Sequence, residues 1–243
     1  MMMNRQAAPL LVTFALTDES RAFIRLLSNP VRLAPHDHLS PVSGELSGRP
    51  VIVLHTGAGD SAACQHRLTA MLESKRPRLV ISSGYAGGLD PALRVGDLLL
   101  AQNRSDPTLS AAVQTNLDPD SLFNGALSTQ PAAAETVAAK AALHASTGAL
   151  GVDMETVWIA AACVRAGIPL VSLRVISDAA DRDFPVPNRI LYDLTRQRPR
   201  FVALPLYLLT HPTRIRAFID FVRGLNHARA QLTRSLARLI MAL

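Results

Sequence analysis

The sequence predicts an α/β fold, in which a single domain has a central mixed, largely parallel sheet flanked by helices and a C-terminal Arg-rich amphipathic helical extension. Short, nearly continuous apolar runs alternate with segments of helical composition, which is typical of strands buried on both faces. Of the 243 residues, 49% are hydrophobic, and no linker rich in Gly, Ser or Pro divides them. We therefore expect one domain over residues 1–243, with 196–243 as the extension.

Five apolar runs predict the strands, at 9–16, 50–55, 79–83, 97–101 and 169–176. Three segments with apolar residues at three- and four-residue spacing predict helices, at 61–72, 133–144 and 155–166. Residues 30–50 are rich in Pro, Gly, Ser and His and predict a loop or a hairpin, and residues 103–131 are polar and rich in turn formers.

The first apolar run, at 9–16, also has the length of a signal-peptide core. Residues 17–20, which follow it, are TDES and not a small-residue cleavage site, so we expect a buried strand. The apolar stretch 201–209 is far shorter than the ~20 residues that span a bilayer, and no transmembrane helix is expected. Cys64 and Cys163 form no CxxC pair, which excludes a zinc finger or a disulfide framework and fits a reducing cytoplasm.

The tail concentrates positive charge. Residues 196–243 hold nine arginines against the single acid Asp220; the arginines are at positions 196, 198, 200, 214, 216, 223, 229, 234 and 238. This asymmetry points to an anionic partner surface, with a solvated helix face as the alternative. From Ile215 onward the apolar residues alternate at spacings of three and four, which predicts an amphipathic helix that either packs on the body or faces a membrane or partner. Gly224 weakens this helix and Arg229 interrupts its apolar seam, so no self-standing coiled coil is expected.

Four motifs come at or just after apolar runs, where open α/β sheets place their ligand sites. They are TGAG at 56–59, SSGYAGGLD at 82–90, VDME at 152–155 and VISDAAD at 175–181. The glycines permit close backbone approach to a ligand, although short glycine pairs also form ordinary turns. Glu155 stands at a helix start, where capping is the alternative role, and for Asp178 the alternative is turn formation.

Taken in this order, the motifs resemble the nucleoside phosphorylase and nucleosidase superfamily, whose bacterial members include the methylthioadenosine/S-adenosylhomocysteine nucleosidases. The matching pieces run from about residue 9 to 183, and the combination of SGYAGGLDPALRVGD, VDMET and RVISDAAD is specific. A narrower similarity, carried by KAALHASTGALGVDMET, DRDFPVP and the Arg-rich tail, is to the hopanoid-associated members. These are linked to removal of adenine from an adenosyl-triterpenoid.

The resemblance implies roles for three acids in breaking an N-ribosidic bond. Asp178 matches the acid that donates a hydrogen bond or proton towards purine N7, and Glu155 matches the glutamate that grips the ribose hydroxyls. Glu19 matches the acid that activates water in the nucleosidases; its alternative role is helix capping and first-turn charge beside Asp18. Further contacts with the nucleoside are implied for Ser177, Met154, Gly57, Gly59, Ser83, Gly84, Tyr85, Ala86 and Gly87. For Met154 the alternative is a place in the core.

The chain departs from the family pattern in two places. The phosphorylases carry an arginine shortly before the glycine motif and a Ser or Thr inside it, whereas these places hold Ser82 and Tyr85. Without that arginine a bidentate phosphate clamp is missing, so water is favoured over phosphate as nucleophile, although Arg21 or Arg25 can add charge. Residues 128–135 contain no aromatic side chain to stack on a purine, and Trp158, on a helix interior, is predicted to be core rather than a stacking residue.

No metal or cofactor is expected. His36 and His38 form an HxH pair, but no third ligand accompanies them. The tail arginines are not interleaved with aromatics, so nucleic acid is not the expected partner.

We therefore expect an enzyme that uses water to release adenine, or a related purine, from a ribosyl substrate with a bulky apolar 5′ group, plausibly an adenosylhopane-type lipid. The alternatives are a purine nucleoside phosphorylase and a non-catalytic nucleoside-binding protein at the membrane periphery. The resemblance also implies a homo-oligomer. The expected location is the cytoplasm, with an anionic membrane surface on its inner face as a partner for residues 196–243.

Overall fold

The computed structural model describes residues 8–34, 39–59, 62–196, 198–200 and 202–243. His36 and His38 lie outside the described residues, as do the side chains of Cys64 and Arg198. The strands are β1 (Leu10–Phe14), β2 (Ser28–Arg32), β3 (Val42–Leu46), β4 (Arg49–His55), β5 (Leu79–Gly88), β6 (Leu98–Ala101), β7 (Leu122–Gly125), β8 (Leu127–Thr129), β9 (Gly151–Asp153), β10 (Leu170–Asp178), β11 (Tyr192–Asp193) and β12 (Arg198–Pro199). The helices are α1 (Thr17–Ile24), α2 (Ala62–Lys75), α3 (Pro107–Asn116), α4 (Val137–Thr147), α5 (Thr156–Ala166), α6 (Asn188–Leu191), α7 (Ala203–Thr210) and α8 (Ile215–Ala242).

Within the described ranges, ten strands form one mixed sheet. Its order is β2-β3-β4-β1-β5-β10-β6-β7, and β9 pairs with β5 and with β8 beside this path. The central strands β4, β1, β5 and β10 are mutually parallel, whereas β2, β3 and β4 form an antiparallel meander and β6 runs antiparallel to β10. The predicted mixed, largely parallel α/β sheet is therefore confirmed, and in the part of residues 30–50 that the structure describes, the antiparallel pairing of β2, β3 and β4 favours the hairpin alternative.

Helices cover both faces of the sheet, because successive side chains of each central strand point to opposite sides. Val12 and Phe14 of β1 face a core that α1, α3 and α8 close, and Leu11 faces a second core that α2 and α5 close. All three side chains are at most 1% exposed. The apolar run at 9–16 thus contains a central strand buried on both faces, as predicted.

Two predicted boundaries are wrong for identifiable reasons. The strand expected at 79–83 continues to Gly88, because the glycine-rich motif pairs with β10 and β9 instead of forming a turn. The helix expected from 133 begins at Val137, where the Thr136 hydroxyl accepts a hydrogen bond from the Ala139 amide and caps it.

Helix α3, at 107–116, was not predicted from its polar, turn-rich sequence. Its start is set by Asp106, whose carboxylate accepts hydrogen bonds from the Thr108 and Leu109 amides, and by Pro107 in the first turn.

The tail contains the predicted amphipathic helix, but its two ends have different surroundings. The C-terminal half of α8 buries Leu232, Leu236 and Leu239 against the sheet, so packing on the body is correct for this half. The N-terminal half and α7 before it leave apolar side chains in solvent; Leu206 is 62% exposed and Leu209 78%. In the part of the chain described, no helix combines the length and the apolar character needed to cross a membrane.

Gly224 and Arg229, the two residues expected to weaken α8, have specific contacts. A Cβ at position 224 would lie 3.2 Å from a methyl group of Val95, so the glycine lets the helix approach the body closely. Arg229 turns its guanidinium to Asp18 of α1, with Nη1 2.6 Å from the carboxylate Oδ2. The helix therefore runs unbroken from Ile215 to Ala242.

Candidate active site

A cavity of about 170 Å³ opens beside the ends of β1 and β10 and the glycine-rich half of β5. Four buried carboxylic acids, Glu19, Asp153, Glu155 and Asp178, line it. Its other walls are formed by Ala15, Leu16, Ala58, Tyr85, Ala86, Gly87, Ala132, Ala133, Ala134, Val152, Met154, Ser177, Phe184, Asn188, Tyr192 and Leu194. The topology thus brings together side chains that lie up to 179 residues apart, between Ala15 and Leu194.

Glu19 is positioned by the first turn of α1. Its Oε2 accepts a hydrogen bond from the Leu16 amide at 3.0 Å, so the capping interpretation is correct, and its Oε1 accepts one from the Tyr85 amide at 3.2 Å. Burial raises the pKa of Glu19, while these backbone bonds and the charge of Arg174 oppose the rise. The same carboxyl therefore fixes the helix start and faces the cavity.

Glu155 precedes α5 but does not cap it. The capping bond comes from Asp153, whose Oδ2 accepts the Thr156 amide at 3.1 Å, whereas Glu155 Oε1 accepts the Gly59 amide at 2.8 Å. The capping interpretation of Glu155 is therefore wrong. Burial, followed by the charge of Asp153, raises the pKa of Glu155 to about 8, and Arg174 opposes the rise.

Arg174 is a buried cation that sequence reasoning missed. It lies on β10, 1% exposed, and its Nη2 is 2.8 Å from Asp153 Oδ2. The same guanidinium donates to Ser83 O at 2.9 Å and to the Ser82 and Thr156 hydroxyls at 3.0 and 2.7 Å. An arginine within a strand gives no indication in the local sequence of these distant partners. Arg21 and Arg25, the cations considered from the sequence, are exposed, on α1 and directly after its end.

Gly84 is required by the close approach of this guanidinium. Its φ is +137°, and a Cβ there would lie 2.8 Å from Arg174 Nη1 and 3.1 Å from Glu19 Oε2. Any side chain at this position would separate the acid from the cation or displace both.

Asp178 is the last residue of β10, so the turn interpretation is wrong. Its Oδ1 accepts a hydrogen bond from the Ser177 hydroxyl at 2.6 Å, and its Oδ2 lies 2.6 Å from the ammonium of Lys140 on α4. Burial raises the pKa of Asp178, and the charge of Lys140 opposes the rise. Lys140, like Arg174, carried no signal in the local sequence pattern.

Besides Tyr85, the site has two aromatic side chains from a segment that the sequence analysis did not identify for this role. Phe184 and Tyr192 line the cavity, whereas residues 128–135 contribute only three alanines to it. Trp158 is 6% exposed and packs in the core between the sheet and α5, as predicted.

The nine further residues implied as nucleoside contacts divide into two groups. The cavity lining includes Tyr85, Ala86, Gly87, Met154 and Ser177. It does not include the four that lie behind it, Gly57, Gly59, Ser83 and Gly84. Of these, Gly59 and Ser83 act through their backbones, which bond Glu155 and Arg174.

The described residues contain no group of three or more His, Cys, Asp or Glu side chains arranged to hold a metal ion. The HxH pair at positions 36 and 38 lies outside them.

A family model described as the phosphorylase superfamily matches residues 10–121 and 103–191. Among solved structures, the chain is similar to a 5′-methylthioadenosine/S-adenosylhomocysteine nucleosidase from Streptococcus pneumoniae with a transition-state inhibitor, at a TM-score of 0.73 and 16% identity over 96% of this chain and 99% of that one. It is also similar to such a nucleosidase from Colwellia psychrerythraea in complex with adenine, at a TM-score of 0.72 and 19% identity, over 98% of this chain and 96% of that one. A futalosine hydrolase mutant of Helicobacter pylori is similar at a TM-score of 0.72 and 18% identity, over 97% of this chain and 99% of that one.

Proposed function

The chain belongs to the phosphorylase superfamily, and from this premise we propose that it cleaves the N-ribosidic bond of a purine nucleoside, with water as the nucleophile. The observation that carries the proposal is the set of four buried carboxylic acids around one cavity, of which Asp153 is held by Arg174 and Glu19, Glu155 and Asp178 are proposed to act on the substrate. Bond cleavage of this kind develops positive charge on the sugar and electron density on the leaving purine. A site for it needs acids on both sides of the scissile bond.

Asp178 is the group proposed to protonate the leaving purine at N7. Its burial raises its pKa, which makes the carboxyl a better acceptor for a proton that it then passes to the purine. The Ser177 hydroxyl bonds Oδ1 and fixes the orientation of the carboxyl plane. General acid catalysis of this kind typically contributes ~10²–10⁴-fold to the rate.

Glu155 and Glu19 are proposed to act on the sugar side. Burial raises the pKa of Glu155 to about 8, and the positive charge that develops on the ribose favours the charged form of this carboxyl. Glu19 has its two oxygens held by the Leu16 and Tyr85 amides. Its raised pKa suits a general base that takes a proton from water.

Water is favoured over phosphate by the charges at the cavity. Of the cations that the described part of the chain places next to it, Arg174 is paired with Asp153 and Lys140 with Asp178. A phosphate dianion would have to displace one of these carboxylates and would face Glu19 and Glu155. The neighbouring structures named as nucleosidases and as futalosine hydrolase are consistent with water as the acceptor.

The direct test follows purine release from adenosine and from 5′-methylthioadenosine by chromatography, with and without phosphate. We expect release at equal rates in both conditions, and severe impairment in Glu19→Gln. Release that requires phosphate, with a ribose 1-phosphate product, would instead make the chain a phosphorylase. Binding of the nucleoside without any turnover would support the non-catalytic alternative.

We further propose that the substrate carries a bulky apolar 5′ group, plausibly an adenosylhopane-type lipid. The cavity, at about 170 Å³, is below the ~300–1,000 Å³ typical of sites that enclose a drug-sized ligand. A large 5′ group would therefore extend out of it, and Phe184, Tyr192 and Leu194 provide an apolar wall on the side of α6 and β11. Adenosines with 5′-alkyl chains of increasing length test this: kcat/KM should rise with chain length, and a fall with chain length would exclude the proposal.

The tail is proposed to bring the protein to the inner face of an anionic membrane. Residues 196–243 form the basic extension of a single domain over 1–243, in which α7 exposes Leu206 and Leu209 and the start of α8 exposes Ile219. Three exposed arginines flank these apolar side chains, at 214, 216 and 223. Apolar side chains bordered by cations suit the interface between acyl chains and anionic head groups.

We also propose that the chain forms a homo-oligomer, as the resemblance to the superfamily implies. Light scattering of the purified chain tests it, and a monomer mass at the concentration of the activity assay would exclude it.

A further inference from the structure

Lys140 is a completely buried ammonium group at the back of the cavity. It is 0% exposed, and its Nζ donates hydrogen bonds to the carbonyl oxygens of Ala179 at 2.7 Å and of Arg182 at 3.0 Å. The same Nζ lies 2.6 Å from Asp178 Oδ2 and 5.6 Å from the centre of the Phe184 ring. Burying an ammonium costs free energy unless several acceptors surround it. Three oxygen atoms surround this one, and one of them belongs to the proposed general acid.

The two oxygens of Asp178 have different partners. Oδ1 accepts the Ser177 hydroxyl, whereas Oδ2 lies 2.6 Å from the ammonium of Lys140. A carboxylate oxygen can accept from more than one donor, so Oδ2 can bond a ligand while it contacts Lys140. Asp178 therefore has one oxygen in contact with a protonated group and still able to bond a ligand.

A resting Asp178 that is paired with an ammonium is a carboxylate, and a carboxylate has no proton to give. This conflicts with a general acid unless the proton comes from the partner. Lys140 is the cation in contact with Asp178 in the described structure, and it carries protons within bonding distance.

We propose, resting on the function proposed above, that Lys140 supplies the proton that Asp178 passes to the leaving purine. An Nζ–H bond of Lys140 breaks as the proton moves to Asp178, and the proton then forms the N7–H bond of the purine. The electron pair of the C1′–N9 bond goes to the purine, and water forms the new bond to C1′ while its proton goes to Glu19. Return of that proton from Glu19 to the neutral Lys140 through solvent completes the cycle.

Lys140 does not touch the substrate in this proposal; it is a positioning residue that acts through Asp178. Other titratable groups surround the Lys140–Asp178 pair. Glu19 and Glu155 line the same cavity as Asp178. At the start of α4, the Asp183 carboxylate accepts a hydrogen bond from the Val137 amide. One turn after Lys140 on α4, His144 has its Nδ1 2.8 Å from the Ala149 carbonyl oxygen.

The test is the pH dependence of kcat in Lys140→Met. Without the ammonium, the buried carboxyl of Asp178 keeps its own proton at low pH and loses it as the pH rises, because burial raises its pKa and only the Ser177 hydrogen bond still opposes the rise. The alkaline limb of the profile should therefore move at least about one pH unit lower than in the wild type, with kcat nearly preserved on the acid side. Lys75→Met, which changes the one other lysine of the chain, exposed on α2, is the matched control and should leave the profile unchanged.

Lys140→Arg provides a second, independent readout. A guanidinium keeps the positive charge but does not release its proton, so kcat should fall about 10-fold or more across the profile while KM stays close to that of the wild type. An alkaline limb that does not move in a folded Lys140→Met, or wild-type kcat in Lys140→Arg, would overturn the proposal and leave Lys140 as a structural clamp. If Lys140→Met does not fold, the Arg variant decides alone. Absence of purine release in the wild type would instead refute the proposed function, and this inference with it.

Discussion

The floor and the outer wall of the cavity are built in different ways. On the floor, which is formed by Glu155, Arg174 and Asp178, Arg174 and Asp178 lie on β10 and Glu155 directly precedes α5, and Arg174 and Glu155 each have at least two hydrogen-bond partners. The outer wall comes from Phe184, the four-residue helix α6 and residues 192–194, and the chain then leads into α7, which is largely exposed. The comparison indicates that the floor fixes the chemistry, whereas the wall and tail select the substrate and its location.

The largest expected effect comes from removal of the proposed general acid of the floor, Asp178. Asp178→Asn keeps the shape of the side chain but cannot transfer a proton, so kcat should fall about 10²–10⁴-fold. Asp181→Asn, an exposed acid in the same motif, is the control and should be nearly neutral. Purine release measured on both variants, with folding checked by circular dichroism, decides the matter. Wild-type turnover in a folded Asp178→Asn variant would show that Asp178 is not the general acid, and would contradict the claim that the floor fixes the chemistry.

The buried ion pair of the floor should also dominate its stability. Arg174→Met leaves Asp153 charged, buried and without its cation, which should lower the free energy of unfolding by about 3–5 kcal/mol. Arg165→Met, at an exposed position of α5, is the matched control and should change little. Urea denaturation measures both. Equal free energies of unfolding for the two variants would show that the Arg174–Asp153 ion pair does not stabilise the floor.

The tail should affect location and not chemistry. Replacing Arg214, Arg216 and Arg223 together with Gln should weaken binding to phosphatidylglycerol-containing vesicles about 10–100-fold, since each basic residue near an anionic surface contributes ~1 kcal/mol before screening.

Arg234→Gln with Arg238→Gln is the comparison variant for this prediction, because these exposed arginines lie on the half of α8 that packs on the body. Co-sedimentation at two salt concentrations gives the result, and purine release from adenosine should be unchanged in every variant. Binding that is absent at low salt, or equally weakened in both variants, would contradict a docking surface at α7 and the start of α8.

The smallest expected effect is on the pH dependence of stability. The pKa of Glu155 is raised to about 8 in the folded protein, above its value in the unfolded chain, so between about pH 4.5 and pH 8 the folded state binds more protons than the unfolded state. The contribution of Glu155 to stability is therefore fully present below this window and is lost as the pH rises through it.

Glu155→Gln removes this dependence. Thermal unfolding midpoints measured across the window should fall less steeply with rising pH in the variant than in the wild type. An unchanged slope would mean that the Glu155 carboxyl titrates in its ordinary range.

The central strands beside the cavity and three of its acids, Glu19, Glu155 and Asp178, could be predicted from the sequence for a physical reason. A strand buried on both faces must be continuously apolar, so runs such as 169–176 identify both the strand and the end at which a ligand site lies. Asp178 and Glu19 follow such runs, Glu155 was identified at a predicted helix start, and the resemblance to a known superfamily assigned the roles of all three.

The buried cations Lys140 and Arg174 and the outer wall of the cavity could not be predicted, because their contacts are with residues distant in the sequence. Lys140 meets Asp178 across 38 residues, and Arg174 meets Ser83 across 91, so no local pattern marks either contact. Phe184 lies in an irregular segment and Tyr192 in the two-residue strand β11, and tertiary packing sets the path of both. The tail helix was predictable as a helix, but its division into a packed half and an exposed half depends on where the sheet ends.

The most direct test of the central claim is the fate of the water oxygen. Turnover of adenosine in ¹⁸O-labelled water, with phosphate present, should give free adenine and a free sugar with ¹⁸O at C1′, as expected when Glu19 directs water to that carbon. A sugar 1-phosphate without label from water, or no release of adenine, would contradict the account.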